Sequence, residues 1–161
     1  MITFTTGNIF DADVEALVNP VNCVGVMGAG LAKGFKERWP DYFDDYQAAC
    51  KRNAVRLGWV AISDVSDGLR CVNWIVSFPT KQHWRDRSSL GAVAFGLGTL
   101  AGAIRNWHLV WGVSLRNIAI PALGCGLGGL NWADVKPCFE FFEGAVGDTN
   151  IIVYEPHAAS Y

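Results

Sequence analysis

The sequence predicts an α/β sandwich, with helices on both faces of a mixed sheet. Three observations predict it. Strand-like and helix-like patterns interleave along the chain. Two glycine-rich segments each follow a buried strand and precede a helix. The 161 residues are 51% hydrophobic and 17% charged, which is the make-up of one folded domain burying roughly 70% of its unfolded surface, not of a disordered chain. Residues 1–161 are therefore expected to form a single domain.

Each element has a local reason. Ile2 to Thr6 alternates and reads as a strand, ended by Gly7-Asn8. Ala16 to Val21 is a short buried strand. Leu31 to Trp39 is helical and stops at Pro40; a second helix starts at Asp41, with Tyr42, Tyr46 and Ala49 on one face. Gly58 to Ile62 and Cys71 to Phe78 read as strands. In the latter, Val72, Trp74, Val76 and Phe78 share one face, and Cys71, Asn73, Ile75 and Ser77 the other. Ser88 or Ser89 can cap the next helix, where Leu90, Val93, Leu97, Leu100 and Ile104 recur at three- and four-residue steps. Its glycines cost helix propensity, so they are expected to allow close approach to the sheet. Asn117 to Ile120 is a buried strand. A helix beginning between Trp132 and Val135, capped by Asp134 with Pro137 in its first turn, and a last strand from Asn150 to Tyr154 complete the order.

Composition excludes several functions. A net charge of −2 cannot coat nucleic acid by bulk charge, so any contact with DNA or RNA must be a local patch. Five cysteines, none in a C-x-x-C pair, argue against a disulfide framework or zinc ribbon and for reduced thiols in the cytoplasm. His108 and His157 have no partners at metal spacing, and neither metal nor cofactor is expected. The first thirteen residues lack a cationic start and an apolar run, so no signal peptide is expected. The long uncharged stretches, 88–104 and 117–133, are interrupted by glycine, serine or proline and are not spans of about 20 apolar residues.

The glycine-rich segments carry the chemistry. Glycine lets a backbone turn sharply and present successive N–H groups to an anion, and a following helix N-terminus adds its dipole. Residues 19–30 and 121–129 both have this form, so two loops could clamp a pyrophosphate without arginine. Gly124-x-Gly126-x-x-Gly129 also fits the dinucleotide fingerprint, with Glu155 ending the next strand. Only one strand follows it, where a dinucleotide fold needs most of its sheet, so the expected ligand is phosphate rather than nicotinamide. Lys33 is followed by Gly34, not Ser or Thr, so the first loop is no P-loop.

Gly7-Asn8-Ile9 after the first strand, Asn19-x-x-Asn22 before a glycine loop, and Gly124-Cys-Gly126-Leu-Gly128 after a buried strand resemble the macro domain family. Residues 22–28, Phe78-Pro-Thr-Lys-Gln-His-Trp-Arg85 and residues 123–132 are similar to its DarG-type branch, antitoxin domains that remove ADP-ribose from thymidine in single-stranded DNA. The resemblance implies a three-layer α/β/α sandwich with a central mixed sheet. It places Asn8, where the family has an acid, at the adenine amino group, with Ile9 beside it and Tyr154 against the adenine ring. Asn19 and Asn22 match the asparagine pair near the distal ribose. Gly28 and Gly30, with Val26, Met27 and Leu31, match the loop covering it. Gly124, Gly126 and Gly128, with Leu123, Cys125 and Leu127, match the diphosphate loop. Thr80 precedes Lys81, which matches the catalytic lysine of the branch. The related terminal ADP-ribose glycohydrolase has an aspartate where Gly128 stands.

By its residues alone, Lys81 is either a solvated loop charge or a reactive amine; the resemblance favours catalysis, which needs a lowered pKa. His83, Trp84, Arg85 and Arg87 suit single-stranded nucleic acid, a base stacking while cations meet phosphates. Alternatively, Trp84 packs on the core and Arg85 pairs with Asp86 or another carboxylate. Cys125 reads as a small loop residue rather than a nucleophile, and Trp132 as a prop for the second loop. The expected protein is a monomeric, cytoplasmic ADP-ribosyl glycohydrolase acting on DNA, with no membrane association. The alternatives are a non-enzymatic ADP-ribose reader and a hydrolase of ADP-ribosylated protein or small derivatives.

Overall fold

The structure, a computed structural model, describes residues 1–157. Strands β1 (Ile2–Thr5), β2 (Ala16–Asn22), β3 (Ala61–Asp64), β4 (Trp74–Lys81), β5 (Asn117–Pro121) and β6 (Asn150–Tyr154) form one sheet. Its order is β1-β6-β5-β2-β4-β3. Every neighbouring pair is parallel except β3 with β4. The mixed sheet expected from the interleaved pattern is what forms.

Helices α1 (Gly30–Arg38) and α2 (Pro40–Lys51) cover one face. Helices α3 (Leu90–Arg105), α4 (Trp107–Trp111), α5 (Trp132–Val135) and α6 (Cys138–Glu143) cover the other. Strand β4 shows why two layers are needed. Trp74, Val76 and Phe78 join the α3-side core, while Ile75 joins the α1/α2-side core. A strand buried on both faces needs apolar cover on both sides.

Several local expectations shift. Strand β4 runs three residues later than its apolar pattern suggested and takes in Pro79, which a strand interior tolerates poorly. Its register with β2 is irregular between Val21 and Asn22, just where Pro79 pairs with Val21, so the missing N–H falls at a break in the ladder. Strand β3 also starts later, and Gly58 to Val60 instead bridge to Pro79 and Thr99. Ser89, not Ser88, caps α3, its hydroxyl accepting from Ala92 N–H. Leu90 is exposed. Of the α3 glycines, Gly96 alone meets the sheet: a Cβ there would press on the Phe78 ring, whereas at Gly98 and Gly102 it would meet nothing within 4 Å. The helix expected near Asp134 is two short ones. Asn131 caps α5 by accepting from Ala133 N–H, and Pro137 immediately precedes α6. No helix among the described residues is long and apolar enough to cross a membrane.

Candidate active site

Five of the six strands run the same way, so Thr5, Asn22, Lys81, Pro121 and Tyr154 end on one edge of the sheet. The loops leaving those ends form the candidate site, as ligand sites of α/β sheets generally do. Both glycine-rich segments and the Lys81 loop are among them.

The first loop is organised from below by asparagines. Asn22 is 5% exposed. Its Nδ2 donates to Val26 O at 2.8 Å, and its Oδ1 accepts from Val24 N at 3.0 Å. Tyr46 of α2 donates its hydroxyl to Asn22 O at 2.7 Å. Asn19 is wholly buried: its Nδ2 donates to Tyr42 Oη at 3.2 Å, and Tyr42 lies 2.6 Å from Ser77 Oγ. Burial pushes the Tyr42 phenol up to about 12, so it stays a neutral member of this network. Asn19 keeps its Oδ1 without a hydrogen-bond partner among the described residues. It supports the loop from within the α1/α2 layer and does not reach the surface, and Asn22 spends its side chain on the loop backbone. Met27, at 2% exposure, is likewise core rather than surface. Val26, Gly28 and Gly30 are exposed, and Leu31 half-buried. Ala29 leaves the start of α1 without a side-chain cap, so the first-turn N–H groups face the loop.

The second loop is held by its own backbone. Cys125 N–H donates to Ala122 O, Gly129 N–H to Gly126 O and Leu130 N–H to Gly124 O. The N–H groups of Gly126, Leu127 and Gly128 have no protein acceptor among the described residues. Gly124, at φ +74°, would set a Cβ 2.7 Å from Leu130 Cδ1. Leu130, not Trp132, props this loop; Trp132 packs against Phe4 and Phe139 instead. Gly128 has no room for a side chain, since a Cβ would collide with Ser88 Oγ and stand 2.6 Å from Gly124 O. An acid at that position is thus excluded by packing. Leu123 is wholly buried, and Cys125 is half-buried with its thiol pushed up to about 11 by desolvation, which makes it a poor nucleophile. Leu127, 71% exposed, reaches across: a Cβ on Gly30 would stand 3.4 Å from its Cδ1. The two loops therefore meet.

Lys81 pairs with Asn22 in the β2–β4 register, and the contact continues as Cys23 N–H donates to Gln82 O at 2.9 Å. Lys81 thus stands at the root of the first loop. Its Nζ donates to Trp84 O at 3.1 Å. Thr80, beneath it, is buried. Trp84 is 45% exposed, with the Arg85 guanidinium 4.6 Å from its ring centre and the His83 ring 5.2 Å away. Neither alternative for this loop forms: Trp84 is not in the core, Asp86 accepts from His83 N–H at 3.0 Å, and Arg85 is in no ion pair among the described residues. Arg87 donates to Gly129 O and Ser88 N–H to Gly128 O, which ties the loop to the second glycine loop. Ser88 Oγ is buried against Gly128 with no partner. Sequence reading gave it only a capping role; its aim into the loop appears in three dimensions alone.

At the far end of the edge, Asn8 Oδ1 accepts from Phe10 N–H at 3.1 Å, capping a 3-10 turn over Ile9–Asp11. One lone pair of that carbonyl remains for a ligand. Ile9 is 4% exposed and Tyr154 half-buried. His108 and His157 are exposed. Among the described residues, no group of three His, Cys, Asp or Glu side chains is placed to hold one metal ion.

A mixed sheet whose parallel strands end in two touching glycine loops is macro domain architecture. The Macro domain family model matches residues 18–139, and the chain belongs to that family. Among its relatives is the DNA ADP-ribosyl glycohydrolase of Mycobacterium tuberculosis, 41% identical over 160 residues. The match covers 99% of this chain and 44% of that protein, so the chain spans less than half the length of the curated relative. The solved macrodomain of Mycobacterium tuberculosis DarG has a TM-score of 0.90 at 41% identity, covering 98% of this chain and 99% of that one. Thermosipho africanus DarTG in complex with ADP-ribose has a TM-score of 0.87 at 29% identity, covering 99% of this chain and 43% of that one.

Proposed function

We propose that this protein is an ADP-ribosyl glycohydrolase that releases ADP-ribose from modified thymidine in single-stranded DNA, with Lys81 as its nucleophile. The observation that carries the reading is the pairing of Lys81 with Asn22 at the root of the first glycine loop, whose far end meets the second loop at Gly30 and Leu127. The activity named for the Mycobacterium tuberculosis relative and the ADP-ribose bound to the Thermosipho africanus relative support it. The free N–H groups of Gly126, Leu127 and Gly128, with the uncapped start of α1, suit a diphosphate. Five unpaired thiols suit a reducing cytoplasm.

In this mechanism the neutral Lys81 amine attacks the anomeric carbon of the distal ribose. A bond from Nζ to that carbon forms as the bond to the base nitrogen breaks. The electron pair leaves with the base, which takes up the proton that the alkylated amine gives up. Water then attacks the same carbon, returns the amine and frees ADP-ribose. The exposed Trp84 and Arg85 flank Lys81 where the strand carrying the base would lie.

The Lys81 to Trp84 hydrogen bond favours one second reading, an ADP-ribose reader in which Lys81 only shapes its loop. Turnover decides between them. Lys81→Ala is expected to bind ADP-ribose within a few-fold of the parent by calorimetry yet lose turnover by about a hundred-fold or more. Lys81→Arg is expected to fail as well, since guanidinium stays protonated. Modified oligonucleotide, modified protein and ADP-ribose phosphate are assayed side by side. A folded Lys81→Ala protein that cleaves any of them at the parent rate refutes the mechanism, and a parent that binds ADP-ribose but cleaves none of them establishes the reader.

A further inference from the structure

The sheet order dictates where the rest of a substrate must go. Asn8 and Tyr154 lie at the β1/β6 end, the second glycine loop follows β5, and the first loop with Lys81 follows β2 and β4. Under the function proposed above, on which this inference rests, ADP-ribose runs along that order from adenine to distal ribose. Whatever is bonded to the distal ribose then emerges beyond β4, over the β3 edge. The chain at that edge is residues 52–60, between α2 and β3.

This edge carries exposed rings and unpaired cations. Trp59 is 57% exposed and Phe95 of α3 is 51% exposed. They meet edge-to-face, ring centres 5.3 Å apart at 74°. The pair is fixed from beneath. Gly58 N–H donates to Pro79 O at 3.1 Å, and Gly58 O accepts from Thr99 Oγ1 at 2.9 Å. At φ +78°, Gly58 lets the Phe95 ring close on its backbone, where a Cβ would stand 2.7 Å from Cδ1. Pro79 is two residues before Lys81, about 7 Å along the strand. Arg52 and Arg56 lie in this stretch, Lys51 immediately precedes it, and no acid occurs from Tyr46 to Ser63. None of the three is in an ion pair among the described residues.

We infer that Trp59 and Phe95 form a stacking platform for a base flanking the modified nucleotide of a single strand, with Arg56 and Arg52 meeting its phosphates. Trp84 and Arg85 serve the side nearer the second glycine loop, to which Arg87 and Ser88 tie them. Residues 46–63 and 79–89 together hold six of the thirteen lysines and arginines and one acid. That surplus, in a chain of net charge −2, matches a polyanion carrying rings; an apolar protein patch needs no such cations.

The test uses the full chain with two ligands. Calorimetry reads free ADP-ribose; fluorescence anisotropy reads a labelled, unmodified single-stranded thymidine oligomer at several salt concentrations. Trp59→Leu keeps apolar cover for Phe95 but removes the indole face, and is expected to weaken oligomer binding about tenfold with ADP-ribose affinity unchanged. Arg56→Ala, at an exposed site, is expected to lower the salt dependence by about one phosphate contact. If both variants bind the oligomer with the parent's affinity and salt dependence, or the parent binds no oligomer, the platform is overturned while ADP-ribose binding stands. A parent that binds the oligomer through Trp59 but no ADP-ribose supports the platform and overturns the glycohydrolase reading alone.

Discussion

Asn22 and Lys81 pair across two strands, yet their side chains do different work. Asn22 is consumed in holding the first loop; Lys81 is half-exposed at its root. The same division runs through the second loop. Gly128 is where no side chain fits, and Gly126 is where one fits freely, since a Cβ there meets nothing within 4 Å and its φ is not left-handed. Gly126→Val is therefore expected to fold as the parent does while its isopropyl group holds phosphate off the loop N–H groups. Calorimetry should show ADP-ribose affinity reduced about tenfold or more, the scale of one or two hydrogen bonds to a charged group, with the melting temperature unchanged. Equal affinity would remove the second loop from the site. Gly128→Ala should instead lower the melting temperature, because Ser88 and the Gly124 carbonyl must move.

Among the elements, α3 gives the sharpest contrast between propensity and packing. Every glycine inside a helix costs roughly 0.5–1 kcal/mol relative to alanine. Gly98 and Gly102 face open space, so Gly98→Ala and Gly102→Ala should each raise stability by about that amount in urea unfolding. Gly96 lies on Phe78, wholly buried in β4, and Gly96→Ala should be destabilising despite its better propensity. All three stabilising alike would mean that α3 does not press on the sheet at Phe78. The contact matters beyond stability, because β4 carries Lys81 and α3 carries Phe95.

For the molecule as a whole, one ion pair closes the sheet's far end. Glu155, just after β6, accepts from Lys136 Nζ at 2.7 Å and from Trp132 Nε1 at 3.2 Å, joining the last strand to the helical layer. The Lys136 and Trp132 hydrogen bonds hold its carboxyl below the ordinary value of 4.5. A carboxylate whose folded pKa is lowered contributes stability above the unfolded value and loses it as pH falls through the folded one. Glu155→Gln should therefore lower the melting temperature at neutral pH, and the gap to the parent should narrow as pH falls below 4.5 and close once it passes the lowered folded value. A gap independent of pH would show that the pair's charge contributes nothing. The pair is partly exposed, so the expected shift is small.

The order of the six strands, the alternation from Trp74 to Phe78 and the two glycine loops were legible in the chain, because periodicity and turn chemistry are local; the family was legible only through the resemblance of its motifs. Helix α4 was not legible, and Val72, expected on the face of Trp74, packs with Ile75 on the α1/α2 side. The Asn19-x-x-Asn22 pattern and Lys81 were legible as motifs through the same resemblance. Which groups those residues meet was legible only in the packed sheet. Asn22 and Lys81 are neighbours only through the register of two parallel strands. Whether a polar side chain faces a ligand or a phenol depends on which helix covers it, and α2 turns Asn19 inward onto Tyr42. The limits of β3 and β4 moved for a related reason: a strand ends where its partner stops pairing, not where its own apolar pattern fades. Ser88 and the Trp59–Phe95 pair had no legible signal, because each gains its meaning from a residue about forty positions away that only the packed sheet brings beside it.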